Sequence, residues 1–127
     1  MARVLTIEDD QAIRTLLAAQ LGERGHELIG VADGESGLRI AYEAQPDVIL
    51  LDLGLPGLHG TAVLDRLKSD PATRAIPVII VSAWAEGHAS ATALARGAAG
   101  VLRKPFAARD LYAQVDAALA GRAAADD

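Results

Sequence analysis

The sequence contains no cysteine, so disulfide bonds and thiolate metal sites are excluded. Aromatic residues make up only 3% of its 127 residues, and Ala, Leu and Val must therefore do most of the core packing. No apolar run approaches the roughly 20 residues that a membrane-spanning helix needs. The first residues, Met1-Ala2-Arg3, pass directly into a strand pattern and show no apolar region of a signal peptide. We therefore expect a cytoplasmic protein that does not bind membranes.

Positive charge is also scarce. There are 12 Lys and Arg residues against 17 Asp and Glu residues, and the formal net charge is -5. Binding nucleic acid regardless of its sequence requires a basic surface that displaces counterions from the phosphates. The charge balance therefore argues against direct nucleic-acid binding. Apolar residues account for 51% of the chain, and its length is that of one ordinary domain, so a real core can be buried.

Five short apolar runs are predicted to form strands. They are Val4–Ile7, Glu27–Val31, Val48–Leu51, Val78–Val81 and Ala99–Leu102. The first, third and fourth runs are almost continuously apolar, which is typical of strands buried on both faces of a parallel sheet. Segments with helical spacing of apolar residues lie between the runs and after the last one. The alternation predicts an α/β protein in which helices cover both faces of one sheet, a three-layer sandwich.

The chain shows neither an internal repeat nor an interdomain linker. We expect one domain over residues 1–121. Residues 122–127, Arg-Ala-Ala-Ala-Asp-Asp, are interpreted as a flexible C-terminal tail.

Polar residues follow four of the runs at the point where each strand is predicted to end. Glu8-Asp9-Asp10 follows the first run, Asp52 the third, Ser82 the fourth and Lys104-Pro105 the fifth. Ligands of open α/β sheets bind outside the carboxyl ends of the strands. Several carboxylates and one ammonium converging there predict a site for a divalent cation and a phosphoryl group.

The residue types suit that chemistry. Mg²⁺ prefers oxygen ligands in octahedral geometry and retains several waters, so Asp9 and Asp52 can supply ligands while Glu8 or Asp10 holds a water. A carboxylate can also attack phosphorus and form an aspartyl phosphate. That attack requires neutralisation of negative charge, which a metal ion and the ammonium of Lys104 can provide.

Each of these residues, taken alone, also has an ordinary structural explanation. Asp10 can cap the following helix, and Ser82 can be a turn residue. Carboxylates at strand ends are common because loops are solvated. Their joint occurrence at four strand ends favours a functional site.

Four segments of the chain carry a family resemblance. They are VLTIEDD at the start, VILLDLGLPGLHG around Asp52, VIIVSA ending at Ser82-Ala83, and GAAGVLRKPF around Lys104. Together they resemble the receiver domain of bacterial two-component response regulators over nearly the whole chain. The resemblance implies a flavodoxin-like (βα)5 fold with a five-stranded parallel sheet. It also implies that a histidine kinase or phosphotransfer protein donates a phosphoryl group to one aspartate.

The resemblance also implies roles for individual residues. Asp52 matches the phosphoacceptor, Ser82 the switch hydroxyl and Lys104 the lysine that pairs with the phosphoryl group. The Lys104–Pro105 peptide bond is expected to be cis. The implied cofactor is Mg²⁺ or Mn²⁺, and its protein ligands match Asp9, Asp52, the main-chain carbonyl of Gly54 and, through water, Glu8.

The chain departs from the family pattern at three places. Val101 stands where the family often has Tyr or Phe, so the usual ring rotation cannot occur here. Ala99 and Gly100 stand where dimerising transcriptional receivers usually carry an acidic pair, which argues against that charged dimer surface. Trp84 could shield an acyl phosphate, mark a partner surface or be a partly exposed loop side chain.

The leading hypothesis is a phosphoacceptor module that catalyses only its own phosphorylation and dephosphorylation and binds an output protein that the sequence does not identify. The chain could be a complete single-domain regulator, or a receiver from a hybrid histidine kinase or transcriptional regulator. A phosphatase with an aspartate nucleophile is an alternative, but such enzymes usually need a second acid at the position of Gly54. An interaction module that has lost phosphorylation is disfavoured, because the phosphoacceptor pattern is retained.

Overall fold

The computed structural model describes residues 1–83 and 87–126, in which strands and helices alternate. The elements are β1 (Arg3–Ile7), α1 (Gln11–Glu23), β2 (Glu27–Val31), α2 (Gly34–Ala44), β3 (Val48–Leu51), α3 (Gly60–Ser69), β4 (Val78–Ser82), α4 (Gly87–Ala95), β5 (Gly100–Arg103) and α5 (Ala108–Asp126). The strand bounds differ from the predicted ones by one residue at most. No helix in these two described ranges is both long enough and apolar enough to cross a membrane.

The five strands form one parallel sheet in the order β2-β1-β3-β4-β5. The register places Ile7 of β1 beside Leu51 of β3, so these two strands end at the same level. The predicted flavodoxin-like α/β fold is confirmed. Its central strands, β1 and β3, are the ones followed by the acidic residues.

Helices cover both faces of the sheet. Side chains of a strand alternate between its faces, so Ile49 and Leu51 pack on the side of α2, α3 and α4, while Val48 and Leu50 pack on the side of α1 and α5. All four of these β3 side chains are fully buried. Burial on both faces explains why the run is continuously apolar rather than alternating.

Most of the predicted C-terminal tail is helical. Helix α5 continues to Asp126 and so includes residues 122–126, while the flexibility of this segment stays a prediction. The guanidinium of Arg122 donates hydrogen bonds to the carbonyl oxygens of Pro46 and Asp47 at 2.9 and 3.1 Å. Alanine also has the highest helix propensity of all residues, which favours continuation of the helix. Asp127 lies outside the described residues.

Candidate functional site

The carboxyl ends of the strands bring the predicted site residues together. The N–H of Asp52 donates to the carbonyl oxygen of Ile7 at 3.0 Å, which joins the residue after β3 to the end of β1. The N–H of Lys104 donates to the carbonyl oxygen of Ser82 at 3.2 Å and joins the ends of β5 and β4. The Lys104–Pro105 peptide bond is cis, as the resemblance implied.

The ammonium of Lys104 lies between two carboxylates. It forms an ion pair with Glu8, and its Nζ is 3.2 Å from Oδ2 of Asp52. Both carboxylates are buried, and a buried charge is tolerated only where a partner compensates for lost hydration. The other oxygen of Asp52, Oδ1, accepts a hydrogen bond from the Gly54 N–H at 3.0 Å. Asp52 is thus held through both of its oxygens.

Three carboxylates are close enough to share one cation. Glu8, Asp9 and Asp52 each offer an oxygen, and these atoms lie within 4.8 Å of one another. Glu8 and Asp52 are buried, whereas Asp9 is exposed. Ligand sets made only of oxygen suit hard ions such as Mg²⁺ or Mn²⁺. The residues therefore fit a divalent cation, and coordination by the Gly54 carbonyl stays a prediction.

The surroundings of Asp52 favour its ionised form. Burial would by itself raise the pKa of Asp52, but the hydrogen bond from Gly54 and the charge of Lys104 bring it below its ordinary value. A hydrogen bond with the buried hydroxyl of Ser82 lowers the pKa of Asp52 further. Burial would likewise lower the pKa of Lys104, but its contacts with Glu8 and Asp52 raise it above its ordinary value. Asp52 is therefore a carboxylate, and Lys104 an ammonium, at neutral pH.

Glu8 responds to its surroundings in the opposite direction. Burial raises the pKa of Glu8, although the contact with Lys104 and a hydrogen bond from the Asp10 N–H lower it in part. Folding therefore disfavours the charged form of Glu8. Protonated Glu8 therefore stabilises the folded protein at pH values below the ordinary pKa of Glu8. This contribution is lost as the pH rises through the raised pKa that Glu8 has in the folded protein.

We expect Glu8→Gln to unfold at a higher urea concentration than the parent at pH 7, because glutamine does not ionise. The advantage should shrink as the pH falls towards 4 and Glu8 of the parent becomes protonated. Urea unfolding across this pH range measures the effect. Glu43→Gln, on the exposed surface of α2, is the matched control. A Glu8→Gln protein that is less stable than the parent at pH 7 would show that the ion pair with Lys104 outweighs the cost of burial.

Asp10 caps helix α1, which is one of the two roles predicted for it; the other is to hold a metal-bound water. Its Oδ1 accepts hydrogen bonds from the N–H groups of Ala12 and Ile13 at 2.9 and 3.4 Å, at the start of α1. Its own N–H donates to Oε2 of Glu8 at 3.2 Å. The backbone N–H of Asp10 thus helps to hold the carboxylate of Glu8 in place.

Sequence reasoning did not anticipate the contact of Arg14 with this loop. Its Nη1 donates to the carbonyl oxygen of Glu8 at 2.6 Å. The available signal was an arginine about one turn into the helix that follows the acidic residues. That signal is weak, because arginine is common on exposed helix surfaces.

Two of the departures from the family pattern can be placed. Val101 is half-buried and packs against the core beside α3 and α4. A Cβ atom at Gly100 would lie 2.1 Å from Oε1 of Gln114, so the Gln114 side chain occupies the space that an acidic residue would need. Trp84, singled out in the sequence, lies outside the described residues.

Comparison with known proteins gives a consistent result. Residues 4–116 match the model of the response regulator receiver domain. The chain is 35% identical over 121 residues to the protein PilH of Pseudomonas aeruginosa, covering 95% of this chain and 100% of PilH. It is 37% identical to the DNA-binding dual master transcriptional regulator RpaA of Synechocystis, covering 94% of this chain and 49% of RpaA. The chain thus spans about half the length of one relative and the whole of the other.

A solved structure extends the comparison to the site. The receiver domain of the sensor histidine kinase PA1611 from Pseudomonas aeruginosa is 28% identical, with a TM-score of 0.86 over 94% of this chain and 98% of that one. That structure has a magnesium ion coordinated in its active-site cleft. The match over residues 4–116, together with the parallel sheet and the acidic residues at its carboxyl edge, shows that this chain belongs to the response regulator receiver family of two-component signalling.

Proposed function

We propose that Asp52 of this receiver accepts a phosphoryl group from the phosphohistidine of a histidine kinase or phosphotransfer protein, and that phosphorylation changes the binding of an output protein. The observation that carries the proposal is the position of the Asp52 carboxylate, 3.2 Å from the Lys104 ammonium and beside two further acids. Neither a strand-end loop nor a packed core needs that combination of charges.

The transfer step follows from the protonation states. A carboxylate oxygen of Asp52 attacks phosphorus, the phosphorus–nitrogen bond of the donor breaks, and its electron pair stays on the imidazole nitrogen. The lowered pKa of Asp52 keeps the attacking group ionised. Lys104 is positioned to pair with a phosphoryl oxygen, and the buried hydroxyl of Ser82 can donate to another.

The acidic residues supply the cation site. Asp9, Asp52 and the Gly54 carbonyl would hold Mg²⁺ or Mn²⁺, and Glu8 would hold one of its waters. A cation bound there would supply positive charge opposite the phosphoryl oxygens. The chain's own chemistry is then limited to its phosphorylation and dephosphorylation.

The phosphatase alternative has less support. The residue two positions after Asp52 is Gly54, and it contributes an N–H to the carboxylate of Asp52 instead of a second acid. An interaction module without phosphorylation would not need the ion pairs of Lys104. Charge and hydropathy favour a cytoplasmic protein whose partners are proteins.

Labelling with a small phosphodonor tests the proposal. We expect acetyl phosphate with Mg²⁺ to add one phosphoryl group, which peptide mapping by mass spectrometry will locate at Asp52. Addition of EDTA should prevent the labelling, because the cation is needed for charge neutralisation. Labelling at another residue, or equal labelling with EDTA, would contradict the proposal.

Mg²⁺ should also stabilise the protein, because a cation relieves repulsion among the clustered carboxylates and binds only the folded chain. At tenfold excess over its dissociation constant, binding adds about 1.4 kcal/mol, or roughly 5 °C in melting temperature. Asp9→Ala should lose this increase, while Asp116→Ala, on the exposed surface of α5, should retain it. An increase that Asp9→Ala retains in full would exclude Asp9 from the cation site.

A further inference from the structure

We propose that Arg14 is a positioning residue for the cation site. Its guanidinium fixes the loop between β1 and α1, so that Asp9 presents its carboxylate beside those of Glu8 and Asp52. The inference rests on the proposed role of Asp9 as a metal ligand. It assigns a structural cause to the affinity of the site for its cation.

The side chain of Arg14 holds this loop at the carbonyl oxygen of Glu8, to which its Nη1 donates at 2.6 Å. The backbone N–H of Arg14 donates to the carbonyl oxygen of Asp10 at 3.1 Å, a helical bond that does not involve the side chain. The N–H of Glu8 is bonded to the carbonyl oxygen of Val31 at 3.0 Å. The peptide groups on both sides of the Glu8 Cα are therefore fixed, one by the sheet and one by Arg14.

Asp9 depends on this backbone for its position. Within residues 1–83 and 87–126, its carboxylate takes part in no hydrogen bond and no ion pair, and it is exposed. Its neighbours are tied down instead. Asp10 is held by the helix cap, and the carbonyl of Glu8 is held by Arg14. Loss of the Arg14 contact would free the peptide group that joins Glu8 to Asp9.

The edge strand β2 leaves room for the Arg14 side chain. Gly30 lies beside Thr6 in the sheet, and a Cβ atom built on Gly30 would be 3.2 Å from Cδ of Arg14. That separation is tighter than an ordinary contact, so alanine at position 30 would require the stem of Arg14 to move by a few tenths of an ångström. The packing against Gly30 is a second observation, independent of the hydrogen bond to Glu8, that places the apolar stem of the Arg14 side chain.

Charge alone makes the opposite prediction. A guanidinium near three carboxylates repels a divalent cation, so its removal would tighten cation binding if Arg14 acted only through its charge. If Arg14 positions the loop, its removal weakens binding instead. The sign of the change in affinity therefore separates the two roles.

The test is the dissociation constant of Mg²⁺, measured by isothermal titration calorimetry on the folded chain. Arg14→Met keeps the apolar stem and removes the donors, and we expect about tenfold weaker binding, the lower end of losses seen when a group that orients a metal ligand is removed. Arg14→Lys should recover part of the affinity, since an ammonium can still donate to the Glu8 carbonyl. Gly30→Ala should weaken binding without a change of charge. Arg66→Met, at an exposed position of α3, is the control for loss of a positive charge.

The outcomes separate this inference from the proposed function. If the parent does not bind Mg²⁺, the proposed cation site fails and the inference fails with it. If the parent binds and Arg14→Met binds equally well or more tightly, only the inference is overturned. A lower melting temperature of Arg14→Met with unchanged affinity also overturns it, because the role is then structural. If Arg14→Met does not fold, the Mg²⁺ dissociation constants of Arg14→Lys and Gly30→Ala test the inference instead.

Phosphorylation kinetics provide a second readout. At saturating Mg²⁺, Arg14→Met should be labelled by acetyl phosphate at the rate of the parent, because the loop then adopts its bound position. A deficit that persists at saturation would place Arg14 in the transfer step itself and overturn the positioning role.

Discussion

Replacement of Asp52 by asparagine is expected to reduce labelling by acetyl phosphate to background. The amide of asparagine is neutral and a poor nucleophile, whereas the surroundings of Asp52 lower the pKa of its carboxyl and keep it ionised. The substitution also removes one of the three carboxylates that can share a cation. The loss of the nucleophile and the loss of a cation ligand both act on phosphoryl transfer, so no residual labelling is expected. The measurement is the intact mass of the protein after incubation with the donor and Mg²⁺.

The control for Asp52→Asn is Asp116→Asn on the surface of α5. Asp116 forms an exposed ion pair with Arg24, and such pairs contribute about 0–1 kcal/mol to stability. Asp116→Asn should therefore fold and be labelled like the parent. Circular dichroism of Asp52→Asn checks that it is folded. Stable labelling of a folded Asp52→Asn protein at the parent's level would show that the acceptor is another residue.

Gly60→Ala is expected to destabilise the protein by about 3 kcal/mol or more. A Cβ atom at Gly60 would lie 2.3 Å from the carbonyl oxygen of Asp52 and 2.5 Å from Cα of Leu53. These are backbone atoms at the end of β3, so they cannot rotate away as a flexible side chain could. Urea unfolding measures the change. Phosphorylation should fall in parallel, because relief of the clash must move the residue that carries the acceptor.

Gly22→Ala is the matched control for Gly60→Ala. Gly22 lies in α1, and a Cβ atom there meets no atom within 4 Å. Alanine is favoured over glycine in a helix by about 0.8–1.0 kcal/mol, so Gly22→Ala should be as stable as the parent or more stable. If Gly60→Ala were within about 1 kcal/mol of the parent, the contact of α3 with β3 would be looser than the structure indicates.

The fold class could be predicted from the sequence because its signals are local. Apolar runs such as Val48–Leu51 and Val78–Val81 lack the alternation of a strand with one exposed surface, and only a sheet covered on both faces accommodates them. The site residues could be predicted for a related reason. In a parallel sheet all strands end at one edge, so polar residues that follow separate strands must meet there.

The contact of Arg122 could not be predicted from local signals. Residues 122–126 continue α5, and the guanidinium of Arg122 donates hydrogen bonds to the carbonyl oxygens of Pro46 and Asp47, in the segment before β3. That contact joins residues more than seventy positions apart. No window of neighbouring residues contains it.

The sequence by itself determined the α/β class, the five strands and the group of acids with Lys104, because each depends on periodicity or on position at a strand end. The tertiary structure alone decided how the charges act on one another. The hydrogen bond from Gly54 and the charge of Lys104 lower the pKa of Asp52, while burial raises the pKa of Glu8 despite its ion pair with Lys104. It also decided that Arg14 reaches the Glu8 carbonyl and that Gly60 touches the backbone of Asp52. Such contacts depend on strand register and helix packing to within about an ångström, which the order of apolar and polar residues does not specify.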